Sequence, residues 1–166
     1  MAEATKFAVI LANFGNRSDR YCGEGYGEDR TVSQLFDAAA SVADLSGVEL
    51  IGEWNIRKDN VRFIQDELAR TGLQAVSIIP DHFAQRRWGK GAFCSRDSAI
   101  RRQAVEETMA MMDAAAEIGC PVVSLWPGQD GFDYPFQADY LLERDWLVEG
   151  IRACADHRTD VRVSIE

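Results

Sequence analysis

An α/β fold built on a parallel sheet is what this sequence predicts, and three observations carry the prediction. Five strand-like runs alternate with four helical ones, most of the strand-like runs are continuously apolar, and the loops after strands are long where those after helices are short. Strict alternation calls for right-handed crossovers that lay helices over a sheet. A strand covered on both faces is apolar throughout instead of alternating.

The elements follow in order. FAVILA (7–12) is the first strand. Thr31-Val-Ser-Gln34 has the form of a capping box, and Leu35, Ala39 and Val42 follow at helical spacing. A weaker second strand covers 48–53. The next helix, over 58–71, sets Val61, Ile64 and Leu68 on one face and stops at Gly72. LQAVSII (73–79) is the third strand. Ser95 is placed to cap the longest helix, where Val105, Met109, Met112 and Ala116 share a face and Gly119 marks the end. PVVSLW (121–126) is the fourth strand, Leu147, Ile151 and Cys154 mark the last helix, and VRVSI (161–165) is the fifth strand. No Gly-, Pro- or Ser-rich linker interrupts this run, so residues 1–166 read as one domain.

Two architectures satisfy the alternation: a five-stranded doubly wound sheet, or the first five strands of an eight-stranded barrel. In both, function gathers at the strand C-termini. Loops over 13–30, 80–94 and 127–138 favour a barrel with a built-up top face. The last residues, VRVSIE, would present Glu166 to that face, which predicts a domain incomplete at its C-terminus.

Composition narrows the function classes. With 46% apolar and 27% charged residues the chain reads as a soluble globular protein. Its 18 Lys and Arg against 27 Asp and Glu give a net charge of −9 with no basic stripe, so nucleic acid is not an expected partner. The N-terminal apolar run of about eight residues is too short for a membrane span and lacks a signal-peptide pattern. Cys22, Cys94, Cys120 and Cys154 form no CxxC pair; they read as reduced thiols in a cytoplasmic chain, with Cys120 and Cys154 packed.

The candidate site residues sit at strand ends. Glu166, ending the fifth strand, can hold a divalent metal or move a proton at a barrel axis, or be a solvated terminal residue. Trp126 ends the fourth strand, where its ring offers a flat wall to the C–H face of a sugar. Gln129, Asp130, Asp133 and Tyr134 follow it with donors and acceptors for hydroxyls, after a turn at Pro127-Gly128. The alternative is a tryptophan that plugs the core beneath a solvated loop. His82 and its neighbour Phe83 lie just past the third strand; His82 is a metal ligand, a proton carrier or a hydroxyl partner, or a satisfied structural histidine. His157 reads as a surface residue near a helix C-terminus. There is no dinucleotide fingerprint, P-loop, GxSxG, HExxH or zinc spacing.

The stretch GAFCSRDSAIRRQAVEETMAMMDAAAEIGCPVVSLWPGQDG resembles the GGF/GAF–helix–ELGA–strand–WGG/WPG run of the xylose isomerase-like TIM-barrel superfamily of sugar isomerases and epimerases. The resemblance spans most of the chain and is specific in residues 80–140. It implies a (β/α)8 barrel, present here as its first five strands and four helices, with Phe83 and Trp126 walling a sugar site. It further implies a divalent ion, Mn²⁺, Mg²⁺ or Co²⁺, with Glu166 of VSIE as one ligand and the others beyond residue 166. Such an ion acidifies a sugar hydroxyl and polarises the carbonyl for proton or hydride transfer. One departure is plain: where xylose isomerases carry a His after strand two, this chain has Trp54 and Asn55, which leaves His82 as the substitute for aldose ring opening. Part of the superfamily resembles the barrel subunit of C-glycoside lyases, an alternative that needs a second subunit. A homo-oligomer, or a sugar-binding barrel without catalysis, also fits the residues.

Overall fold

The computed structural model describes residues 5–17, 21–22, 24–127, 132 and 134–166. Five parallel strands form one sheet: β1 (Phe7–Ile10), β2 (Leu45–Ile51), β3 (Gln74–Ile79), β4 (Val122–Leu125) and β5 (Arg162–Ile165). Their order in the sheet is their order in the chain. The connecting helices α1 (Val32–Ala40), α2 (Val61–Thr71), α3 (Ser98–Ile118) and α4 (Tyr140–His157) pack each against the next. A doubly wound sheet reverses its strand order at a switch point and carries helices on both faces. Sequential strands with helices touching in the same sequence are instead the winding of a (β/α) barrel, and the chain holds five strands and four helices of one.

Strand pleating separates two environments. Val48, Leu50, Ile78 and Val123 are fully buried in one core with Phe36, Ile64 and Met112 from the helices. On the opposite side Glu49 and Ser77 are register partners on β2 and β3, and the Ser77 hydroxyl donates to Glu49 Oε2.

Local chemistry sets the element ends. Gln34 N–H donates to Thr31 Oγ1 at 3.3 Å and Thr31 N–H to Gln34 Oε1 at 2.8 Å, the reciprocal capping box the sequence predicts. α1 stops at Ala40, so Val42 lies exposed in the turn and β2 begins at Leu45, earlier than its apolar run suggests. β1 ends at Ile10 because the next four residues wind into a 3-10 turn, closed by Gly15 N–H donating to Ala12 O at 2.9 Å. α2 starts at Val61, since Asn60 Oδ1 accepts the Arg57 N–H at 2.7 Å and closes a turn first. The cap of α3 is Asp97, whose Oδ1 accepts from Ala99 N–H at 2.8 Å; Ser95 sits two residues earlier, its hydroxyl accepting from Asp97 N–H at 3.3 Å. Gly72 and Gly119, at φ 72° and 73°, end α2 and α3 in the left-handed conformation that costs glycine least. Cys120 and Cys154 are buried, and desolvation raises the Cys154 thiol to about 11. Among the described residues no helix is long and apolar enough to cross a membrane.

Candidate functional site

A cavity of about 700 Å³ opens where the strands end. Ile10, Ile51 and Ile79, the last residues of β1 to β3, line it. Trp54, Phe83 and Trp126 supply aromatic surface, Asn13, Asn16 and Asn55 supply amides, and Glu166 lines it from the end of β5.

The aromatic wall is built by three successive strand ends. After β2, Gly52 N–H donates to Ile79 O at 2.7 Å, and the next residue, Glu53, adopts φ 63°. Buried Asn55 then staples the turn: its Oδ1 accepts from Ile51 N–H at 2.9 Å, and its carbonyl accepts from Asn60 Nδ2 at 3.0 Å. Between these fixed points Trp54 projects outward. Its indole N–H donates to Asp81 Oδ2 at 3.2 Å, while Asp81 Oδ1 accepts from Ala84 N–H at 2.8 Å, so one buried carboxylate ties the loops after β2 and β3 together. Phe83 lies 6.0 Å from Trp54 and 4.7 Å from Trp126 between ring centroids, meeting the latter edge-on at 77°. Both tryptophans are 41% exposed.

His82 points the other way. Its N–H donates to Pro80 O at 2.9 Å, and its ring packs edge-on against Trp88 at 5.1 Å and Phe93 at 5.5 Å. It lines a small separate cavity with Leu125, Leu147 and Ile151, and is not among the residues lining the large one. Among the described residues neither His82 Nε2 nor the Trp88 indole N–H has a hydrogen-bond partner. Burial pushes the imidazole down to about 4, with Asp81 pulling upward and Arg87 downward to a lesser degree, so His82 is neutral at pH 7.

The remaining candidates divide. Glu166 is brought to the cavity, its N–H donating to Leu125 O at 3.0 Å to pin it beside β4. Trp126 and Phe83 are brought together. Gln129 and Asp130, with Asp133, lie outside the described residues. Tyr134 is exposed, edge-on to Phe136 at 5.4 Å, and does not line the cavity. His157 ends α4 on the outside, its Nε2 3.0 Å from Asp113 Oδ1.

Several cavity residues escaped the sequence reading. Asn13, Asn16, Asp29 and Arg30 come from the loop after β1, which doubles back on itself. There Asn16 Nδ2 donates to Asp29 Oδ1 at 2.7 Å, Asn16 O accepts from Tyr26 N–H at 2.7 Å, and Arg30 Nη1 donates to Phe14 O at 3.1 Å. The length of that loop was the available signal. In the sequence Trp54 and Asn55 show only as a missing histidine, and Asp81 carries no signal of its tie to Trp54.

Among the described residues Glu166 and Asp29 are the carboxylates lining the cavity. Among the described residues no group of three or more His, Cys, Asp or Glu is gathered to hold a metal. A hard divalent cation takes six or more oxygens. Glu166 fits as one of them, but the donors present do not by themselves make a metal site.

Comparison with known proteins gives the fold its relatives. A family model described as xylose isomerase-like TIM barrel matches residues 36–166. Xylose isomerase from Thermus thermophilus is 28% identical over 104 residues, which are 63% of this chain and 27% of that protein. The apo structure of 3-keto-D-glucoside 4-epimerase from E. coli superposes with a TM-score of 0.65 at 16% identity, over 81% of this chain and 50% of that one. A xylose isomerase-like TIM-barrel protein from Mycobacterium smegmatis in complex with magnesium gives 0.61 at 19% identity, over 96% and 54%. The chain therefore spans about a quarter of the curated relative and about half of each solved structure. With its sequential strands and a family match over most of its length, this chain belongs to the xylose isomerase-like TIM-barrel family.

Proposed function

We propose that the protein acts on a sugar as a divalent-metal-dependent isomerase or epimerase, moving a proton or hydride between adjacent carbons. The observation that carries this reading is the aromatic wall: Trp54, Phe83 and Trp126 meet at the ends of three consecutive strands, half-exposed, in a cavity that also holds three amides. Flat apolar rings beside hydrogen-bonding side chains match a polyhydroxylated ligand, whose C–H faces stack while its hydroxyls bond.

In this reading Glu166 is one ligand of the ion, Mn²⁺, Mg²⁺ or Co²⁺, and the further ligands come from strand ends outside these residues. Bound there, the ion would polarise a carbonyl and acidify a hydroxyl. Trp126 and Phe83 orient the sugar, Asn13, Asn16 and Asn55 offer it amide groups, and Gln129, Asp130 and Tyr134, whose side chains suit hydroxyls, are kept as further contacts. Proton transfer by His82 would require its ring to leave the slot between Trp88 and Phe93; within that slot it supports the loop that presents Phe83. The magnesium complex of a family relative supports the choice of a hard cation.

Tryptophan fluorescence tests the reading. Titration with a panel of ketoses and aldoses, with and without Mn²⁺, is expected to give saturable quenching that Trp126→Ala weakens about tenfold or more. Silence across the whole panel sinks the sugar site. With Glu166 the one ligand this reading assigns, binding without turnover is expected of these 166 residues alone, and brisk isomerisation would overturn that assignment.

A further inference from the structure

We propose that the sugar taken by this protein carries a carboxylate, held at the cavity rim by Arg17 and Arg30. The inference rests on the sugar-site reading and names a substrate class within it.

Beside the large cavity the first loop lines a second, open space of about 430 Å³. Asn13, Gly15, Arg17 and Arg30 line both, so the two arginines stand where the spaces adjoin. Among the described residues neither arginine makes an ion pair, although the chain carries 27 acidic residues against 18 basic ones. Asp29, the chain neighbour of Arg30, is engaged by Asn16 instead. Arg30 spends one donor on Phe14 O, which fixes the side chain and leaves the rest of its fork. Arg17 is held at φ 57°, uncommon for any residue but glycine.

Charge decides what kind of anion fits. Glu28 lines the second space, while Asp29 and Glu166 line the first. Two cations among three carboxylates leave the lining net negative, so an anion is held only by direct contact with the guanidinium forks, and a group with two negative charges is repelled more than a group with one. A carboxylate matches the guanidinium fork in geometry as well as charge. The aromatic wall then takes the body of the sugar while its acidic end reaches the first loop.

D-Glucose, D-glucuronate and D-glucose 6-phosphate differ only at C6, and the galactose series repeats the comparison in a second stereochemistry. Each is titrated into the protein with Trp54 and Trp126 as the fluorescent reporters. The expected result is binding of the uronate about five- to tenfold tighter than the neutral sugar. That advantage, read as the ratio of uronate to neutral-sugar affinity within each protein, should vanish in the double variant Arg17→Gln/Arg30→Gln and shrink with added NaCl. Both side chains are exposed, and the circular dichroism melt of the double variant verifies its fold. Equal binding of uronate and neutral sugar, tighter binding of the phosphate ester, or an unaltered preference in the double variant would each overturn the proposal with the sugar site intact. No response to any of the six would overturn the sugar site and this inference with it.

Discussion

Two adjacent residues after β3 feed two different aromatic clusters. Phe83 joins Trp54 and Trp126, rings left 41% exposed in the case of the tryptophans, around a cavity with polar company. His82 joins Trp88 and Phe93, where Trp88 is fully buried and its indole N–H is without a partner among the described residues. The same chemistry serves two ends. Rings that keep exposed faces retain surface for a ligand to desolvate, whereas rings closed on every side have spent that surface on stability.

Substitution should separate the clusters by what each change moves. Trp88→Ala has the largest expected effect on stability, about 3–5 kcal/mol from a cavity in a closed core, read as a shift in the urea midpoint. A loss below about 1 kcal/mol would mean that the slot collapses readily and is no keystone.

His82 gives the next effect, and it depends on pH. Burial lowers its folded-state value to about 4 from the ordinary 6.5. Below pH 6.5 the unfolded chain therefore takes a proton that the folded chain refuses, so stability falls as the pH drops from 6.5 towards 4. Linkage puts the loss at about 2 kcal/mol between pH 7 and pH 5. His82→Leu should remove that portion of the pH dependence; identical slopes in variant and parent would show the imidazole to be protonated or hydrated in its slot.

Asp81 lies between the clusters, accepting from the Trp54 indole and from the loop backbone. Asp81→Ala leaves the Ala84 N–H and the indole without this acceptor, at about 1–2 kcal/mol. It should also weaken sugar binding by loosening Trp54. A variant that binds normally would show that Trp54 needs no tether.

Trp126→Ala should have the smallest effect on stability of the four, about 1 kcal/mol or less, alongside the loss of binding described above. Reversed behaviour of Trp88→Ala and Trp126→Ala in these two assays would mean that the clusters have been assigned to the wrong roles.

Much of this architecture was legible because it is repetitive. The run SII marks a buried stretch of strand and FAVI marks a strand too, although at the sheet edge β1 is not buried and Phe7 stays exposed. Gly72 and Gly119 mark helix ends, and the capping box at Thr31 is readable from four letters. The competing caps were harder. Ser95 and Asp97 both suit a helix start, and only backbone geometry shows that the serine caps the turn leading into the aspartate. The site was legible in its principal rings and its last carboxylate, but not in its wiring. Nothing in Asp81-His82-Phe83 tells which ring faces the cavity; the tight turn from Pro80 decides it. Trp54 finds Asp81 across 27 positions, and Asn16 finds Asp29 across 13, distances over which periodicity carries no signal.

The strand order has a consequence for how the molecule is made. Every strand pairs with the one written just before it, so β1 and β5, the two edges of the sheet, depend on no mutual contact. Ordering can thus advance from the N-terminus one strand and one helix at a time, each loop closure spanning only the residues since the preceding strand. A ribosome that delivers residues one by one would release each unit onto a surface already formed, ahead of the segments that follow. Pulse-labelled hydrogen exchange on refolding protein would record this as protection in β2 and β3 arising before protection in β5.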